Sequence, residues 1–170
     1  MSSDVVEDPV SRLRFGFDRR GDVLHVDVWA EPGAQVAEHV HPPAEERFHV
    51  LEGDVLFRVD GRDVPAGSGA RVTVPAGVRH AFSNPGPGAA RFAVELEPDL
   101  GFEPFFRDSA ALARSGAFSK AGRPRGWSGL LASADFLDRY GEIFRPTSPP
   151  AVVQRLIVPP LAWLARRRRG

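Results

Sequence analysis

The sequence predicts a mainly β fold followed by an α-helical C-terminal extension. Three observations carry that reading. Between Asp22 and Pro98, seven or so short segments alternate apolar and polar residues; Gly, Pro, Asn and Asp separate them with no helical pattern between; and after Pro98 the apolar spacing lengthens to three and four. Period-two segments without intervening helices indicate an antiparallel sandwich or barrel. Charge changes at the same point. Residues 1–100 hold 10 Arg, no Lys and 17 acidic residues, whereas residues 101–170 hold 12 basic and 5 acidic ones. The chain therefore divides into an N-terminal arm over 1–20, a β domain over 21–99 and a helical extension over 100–170.

The first strand is "DVLHVDVWA", with Leu24, Val26 and Val28 on one face and His25, Asp27 and Trp29 on the other. "EPGA" turns the chain, and "RFHVLEG", "VLFRVDGRDV", "ARVTVPAG", "HAFSN" and "ARFAVELEP" continue the alternation. Asp60-Gly61 is a two-residue hairpin signal. Beyond Pro98, "EPFFRDSAALARSG" has an early Pro and a closing Gly, which suit a helix over Glu103 to Gly116. "SKAGRPRG" reads as a loop, "SGLLASADFLDRYGEIF" as an amphipathic helix, and "RPTSPP" as a break before a last helix beginning at "AVVQRLIV".

Composition excludes several function classes. The 22 basic and 22 acidic residues cancel, so no global field draws in nucleic acid. There is no cysteine, hence no disulfide, thiolate nucleophile or Cys-bound zinc. The start "MSSDVVEDPV" is acidic and lacks a positive n-region and apolar run, which predicts a cytoplasmic protein. The longest apolar stretch, "LIVPPLAWLA", has half the roughly 20 residues a membrane span needs and contains Pro159 and Pro160. All basic residues but Lys120 are arginine, a bias with no chemistry attached at this level.

The segment "EHVHPPAEERFHVLEG" concentrates three of the five histidines. Residues two apart on a strand point the same way, so His39 and His41 present both imidazoles to one side. Glu46 opens the next strand and shares its face with Phe48 and Val50, which leaves His49 on the other. Pro75-Ala76-Gly77 then makes a tight turn before His80, with Phe82 on His80's side. Three imidazoles and one carboxylate suit a borderline divalent metal with open positions for a guest. Calcium and magnesium favour oxygen donors instead.

These residues resemble the two motifs of the cupin superfamily: Gly33, His39, His41, Glu46 and Gly53, then Gly69, Pro75, Gly77, His80 and Asn84, each at the family's offset. The resemblance covers residues from about 20 to 98. It implies a jelly-roll β-barrel holding one divalent metal (Fe, Mn, Ni, Co, Cu or Zn) on His39, His41, Glu46 and His80. It also implies a small-molecule ligand and either an oxygenase-like (dioxygenase) activity on an enolisable or hydroxy-carbonyl compound with Glu46 as base, an isomerase activity, or a binding module without turnover. Glu45, adjoining Glu46, is the alternative carboxylate, since the spacing varies within the family. Phe48, Val50 and Phe82, with Phe57, are the expected substrate walls, and Arg91 and Glu95 are candidate polar groups inside the barrel. His25 is expected on a face away from the metal, and the glycines, Pro75 and Asn84 as turn-makers. A homodimer is expected from the edges of an open jelly roll. "PPLAWLARRRRG" is expected to dock an apolar strip on the barrel or a second subunit, or to lie on an anionic membrane surface through Trp163, Leu164 and Arg166 to Arg169. A further reading has the extension closing the barrel mouth over an inactive site.

Overall fold

A computed structural model describes residues 4–168. Eleven strands form two antiparallel sheets. The first contains β1 (Val6–Asp8), β2 (Leu13–Arg20), β3 (Val23–Ala30), β10 (Ala90–Glu97), β5 (Glu45–Glu52) and β8 (Arg71–Val74), in that order. The second runs β11 (Arg145–Pro146), β4 (Gln35–Val40), β9 (His80–Ser83), β6 (Val55–Val59) and β7 (Arg62–Ala66). The sheets face each other as a jelly roll without joining into one closed ladder. Strict alternation explains the core. In β3 every second residue, from Leu24 to Ala30, is buried, and β5 does the same with Glu46, Phe48 and Val50.

Strand β10 lies between β3 and β5 and aligns Phe92 with Val28 on one side and Val50 on the other. The two inner faces enclose Phe48, Phe57 and Phe92, with Phe48 and Phe57 ring centroids 4.8 Å apart. The β6–β7 hairpin turns at Asp60 (φ 48°) and Gly61 (φ 78°), both left-handed as a tight two-residue turn requires. Gly53 is demanded by space as well as conformation, since a Cβ there would stand 2.8 Å from the Ala89 carbonyl oxygen. Asn84 acts in the frame as expected of a turn-maker: its Nδ2 donates to the carbonyls of Ala30 and Gly88, and its Oδ1 accepts from the Gly86 N–H.

The arm expected over residues 1–20 is part of the first sheet across its described portion. Leu13, Phe15 and Phe17 alternate with polar residues, pair with Ala30, Val28 and Val26 on β3, and are buried. Burying three large apolar side chains is worth about 1.5–3 kcal/mol each, which a free arm would forgo.

The extension forms α1 (Phe102–Arg114), α2 (Gly126–Tyr140) and α3 (Ala151–Arg167), with a loop over 119–125 between the first two. Asp99, two residues before the N-cap Gly101, accepts from the N–H groups of Gly101 and Phe102 and so shapes the entry to α1. Helix α1 lays Phe106 against Phe15 and Phe17, at 5.0 and 5.9 Å between ring centroids. Of the places expected for the tail, the barrel is not the one it takes within this chain. Helix α3 packs on α2 rather than on the barrel, through the buried Ala162 and Ala165, while Val152, Leu156 and Trp163 face outward. The small residues let the two helix backbones approach closely, which the bulky ones could not. Arg166 pairs with Asp135 and Asp138, and Arg167 stacks over Trp163 at 4.2 Å. Arg169 lies outside the described residues. No helix among them is long and apolar enough to cross a membrane.

Candidate metal centre and its cavity

His39 sits on β4 and His41 just beyond it, Glu46 is the second residue of β5, and His80 opens β9. All four side chains are buried, and one ligand atom from each lies within 4.8 Å of the others. Backbone geometry converges them. The Gly77 N–H donates to the His41 carbonyl, which ties the turn before His80 to the end of β4, while β4 and β9 set His39 opposite His80.

Each imidazole is oriented through Nδ1, by the carbonyls of Ala37 for His39 (2.8 Å), Ile143 for His41 (2.6 Å) and Val78 for His80 (3.1 Å). A carbonyl can only accept, so each Nδ1 carries a proton and each Nε2 points inward, with a free lone pair wherever the ring is neutral, as burial keeps His39 and His41. The Nε2 atoms of His39 and His41 are 3.1 Å apart, two acceptors facing each other. His41 Nε2 lies 3.7 Å from Glu46 Oε1, and His80 Nε2 lies 2.5 Å from Glu46 Oε2. Despite that close contact, Glu46 Oε2 is a buried carboxylate atom without a well-formed hydrogen bond.

A group of inward lone pairs with an orphaned carboxylate oxygen fits a cation. Separations of 3.1 and 3.7 Å suit neighbouring ligands of one first-row ion, whose bonds run about 2.0–2.2 Å. Titration agrees with that preparation. Burial, helped by the other two imidazoles, lowers the His39 pKa to about 3, and burial likewise lowers His41. Burial alone would raise Glu46, but His41 and the contact with His80 outweigh it and hold the carboxyl at about 2. Burial would lower His80, yet the Glu46 partner more than offsets it and raises the ring above its ordinary value.

A cavity of about 470 Å³ opens from this cluster, a size suited to a small organic ligand. Phe48 and Phe82 line it, as expected from strand parity. Val50 does not; it is fully buried in the core behind Phe48, as is Phe57, so neither forms a wall. Arg91 and Glu95 are not inside the barrel. They alternate with the inward Phe92, Val94 and Leu96 and lie on the outer face, Arg91 over the Trp29 ring and Glu95 against Arg47 and His25. Glu45 faces outward to Arg47, and His49 shares that outer face.

Sequence reasoning offered the extension as a closure of the barrel mouth but named none of the residues it brings. Phe105, Phe106, Phe136 and Phe144 line the cavity, and the rings of Phe144 and Phe102 lie 5.1 Å from His39 and 5.0 Å from His41. Strand β11 straps the segment to β4, where Thr147 donates to the Glu38 carbonyl through both N–H and Oγ1. The available signal was composition: six of the twelve phenylalanines lie beyond residue 100.

Comparison with known proteins agrees with this architecture. The cupin domain family matches residues 21–96. The chain is 36% identical over 67 residues to the polyketide synthase CurC of Streptomyces cyaneus, covering 39% of this chain and 44% of that protein. It is 33% identical over 78 residues to the tetracenomycin polyketide synthase protein TcmJ of Streptomyces glaucescens, covering 46% and 51%. The matched segment thus spans about half the length of these curated relatives. An RmlC-like cupin from Shewanella frigidimarina superposes with a TM-score of 0.54 at 20% identity, over 59% of this chain and 87% of that one, a likeness of fold. Motif spacing, jelly-roll topology and the buried His/Glu cluster converge with these matches: residues 21–96 form a cupin domain.

Proposed function

We propose that the cluster holds one divalent transition metal and that the protein is an oxygenase-like enzyme acting on an enolisable or hydroxy-carbonyl small molecule of polyketide type. The observation that carries this reading is the set of three inward Nε2 atoms and one carboxylate at the floor of an aromatic cavity. Two relatives named for polyketide synthases support the substrate class, because polyketides are rich in hydroxyl and carbonyl oxygens on flat skeletons.

The bound metal would supply Lewis acidity toward such oxygens. The chain's own residues do the rest. Phe48, Phe82 and Phe144 exclude water and align a flat ligand, and the carbonyls behind the imidazoles keep the donor atoms aimed. Glu46, held ionised, is the carboxylate at the metal end and can take a proton at Oε2.

The second reading is a metal-containing binding or accessory module without turnover. It is favoured by the outward placement of Arg91 and Glu95, which leaves Glu46 as the sole acid–base candidate beside the imidazoles among the described residues lining the cavity's metal end. Protein loaded with iron, manganese or nickel should consume oxygen or convert members of a panel of flavonols, diketones and keto acids. Glu46→Gln protein that still carries metal should lose that turnover. Tight binding by loaded protein with no conversion would replace the enzyme by the module.

A further inference from the structure

The far end of the cavity is built from different chemistry. Lys120, the chain's single lysine, lines it together with Ser11. Among the described residues, no carboxylate forms an ion pair with Lys120. The Ser11 Oγ is buried and has no hydrogen-bond partner, the kind of orphan that a fold keeps only when something else satisfies it. The Ser11 turn is firmly shaped: Asp8 Oδ1 accepts from the N–H groups of Val10 and Ser11, and Arg12 is held in the left-handed region at φ 61°. Asp8 also faces this end, with Oδ1 occupied by those two N–H groups. The loop bearing Lys120 closes on this turn, since a Cβ on Gly122 would come 3.8 Å from Val10 Cγ1. A bridge between Phe118 and Pro124 holds that loop.

The two ends are well separated. The Ser11 carbonyl accepts from the Gln35 N–H at the start of β4, whereas His39 lies four residues on. At about 3.3 Å per residue this is roughly 13 Å, somewhat less across the irregularity in that strand. Apolar side chains of Val36, Phe15 and Phe106 line the cavity between.

We infer that Lys120 and Ser11 form an anion-binding subsite, so that the ligand is an elongated, flat molecule with metal-seeking oxygens at one end and a carboxylate or phenolate-type oxygen at the other. This rests on the proposed metal site for the ligand's first end only. Lys120, exposed at the rim of the cavity, supplies the charge, and the buried Ser11 Oγ supplies a hydrogen bond.

The test uses three probes on the full chain: 3-hydroxyflavone, its 4′-carboxylate, and flavone-4′-carboxylate, which lacks the chelating hydroxyl. Binding is measured by fluorescence titration for the parent protein and for Lys120→Met, Lys120→Arg and Ser11→Ala, with metal content measured on each. Loss of a charge-assisted contact predicts about tenfold weaker binding of both carboxylates by Lys120→Met and about threefold by Ser11→Ala, with 3-hydroxyflavone changed less than about twofold. Lys120→Arg should retain the preference. Equal changes for all three probes, or none for the carboxylates, would overturn the subsite. A failed metal site shows differently: no retained metal and no gain from the 3-hydroxyl, while flavone-4′-carboxylate still separates parent from Lys120→Met.

Discussion

The cupin domain and the helical extension contribute to the same cavity in different ways. Residues 21–96 provide every candidate metal-ligand side chain, each set by strand parity and by a turn a few residues away. Among its described residues the extension provides no ligand side chain, yet it supplies aromatic cover, the carbonyl that orients His41 and the lysine at the far end. The contrast separates two jobs. Binding an ion needs donor atoms held by stiff local geometry, whereas admitting a particular ligand needs a wall that can differ from one protein to the next without disturbing the donors.

The strongest way to break this division is to remove a donor. His41→Ala should lose nearly all bound metal, to below about a tenth of the parent content after dialysis, because a vacated position weakens the ion far more than loss of an outer hydrogen bond, itself worth about 10–100-fold. Metal analysis by mass spectrometry checks it, and near-parent content would mean the imidazole is not a ligand.

Cutting the other region should have the opposite profile. Phe105 is 6% exposed and packs on Phe106, Phe136, Tyr140 and Phe144. Phe105→Ala should cost about 3–5 kcal/mol in urea unfolding, with metal content close to the parent's. Joint loss of metal would show that the extension holds the donors in place as well as covering them.

The smallest effect sharpens the comparison through pH. In the metal-free protein, His39 and His41 have lowered pKa values, so their stabilising contribution is complete above about 6.5 and is lost as pH falls, for His39 down to about 3. Glu46, also lowered, adds a loss between about 4.5 and 2. His80 has the opposite sign: its raised pKa stabilises fully below 6.5, and the contribution disappears as pH rises through the folded value. Urea midpoints should therefore fall from pH 6 to pH 4 through His39 and His41, and fall further below about pH 4.5 as Glu46 adds its loss. Metal uptake near neutral pH should release protons from His80 rather than from His39 or His41, which a pH-stat titration of parent against His80→Gln would register. An identical release from both proteins would reverse that assignment.

The legibility of the molecule followed the range of the interactions. The inward face of β5 was readable because alternation forces Glu46, Phe48 and Val50 to one side. Yet the same rule could not say that Val50 lies too deep to touch the cavity, which depends on where Phe48 and Phe92 pack above it. Arg91 and Glu95 were readable as alternating with Phe92 and Val94, and only the pairing of β10 between β3 and β5 decided which side faced inward. In the N-terminal stretch the alternation of Leu13, Phe15 and Phe17 was present but passed over, although it marks a buried strand.

By itself the amino-acid order determined that two imidazoles two residues apart would share a face, that Asp60-Gly61 would turn, and that four donors would belong to one family pattern. Covalent strand geometry and local turn preferences suffice for these. Tertiary docking alone decided that the carbonyl of Ile143 would reach His41 across 102 positions of sequence, that Phe144 would lie beside His39, and that Lys120 would come to the Ser11 turn. Such contacts arise from burying apolar helix faces on the open jelly roll, a force proportional to area and without direction, so no residue spacing encodes which atoms it will bring together.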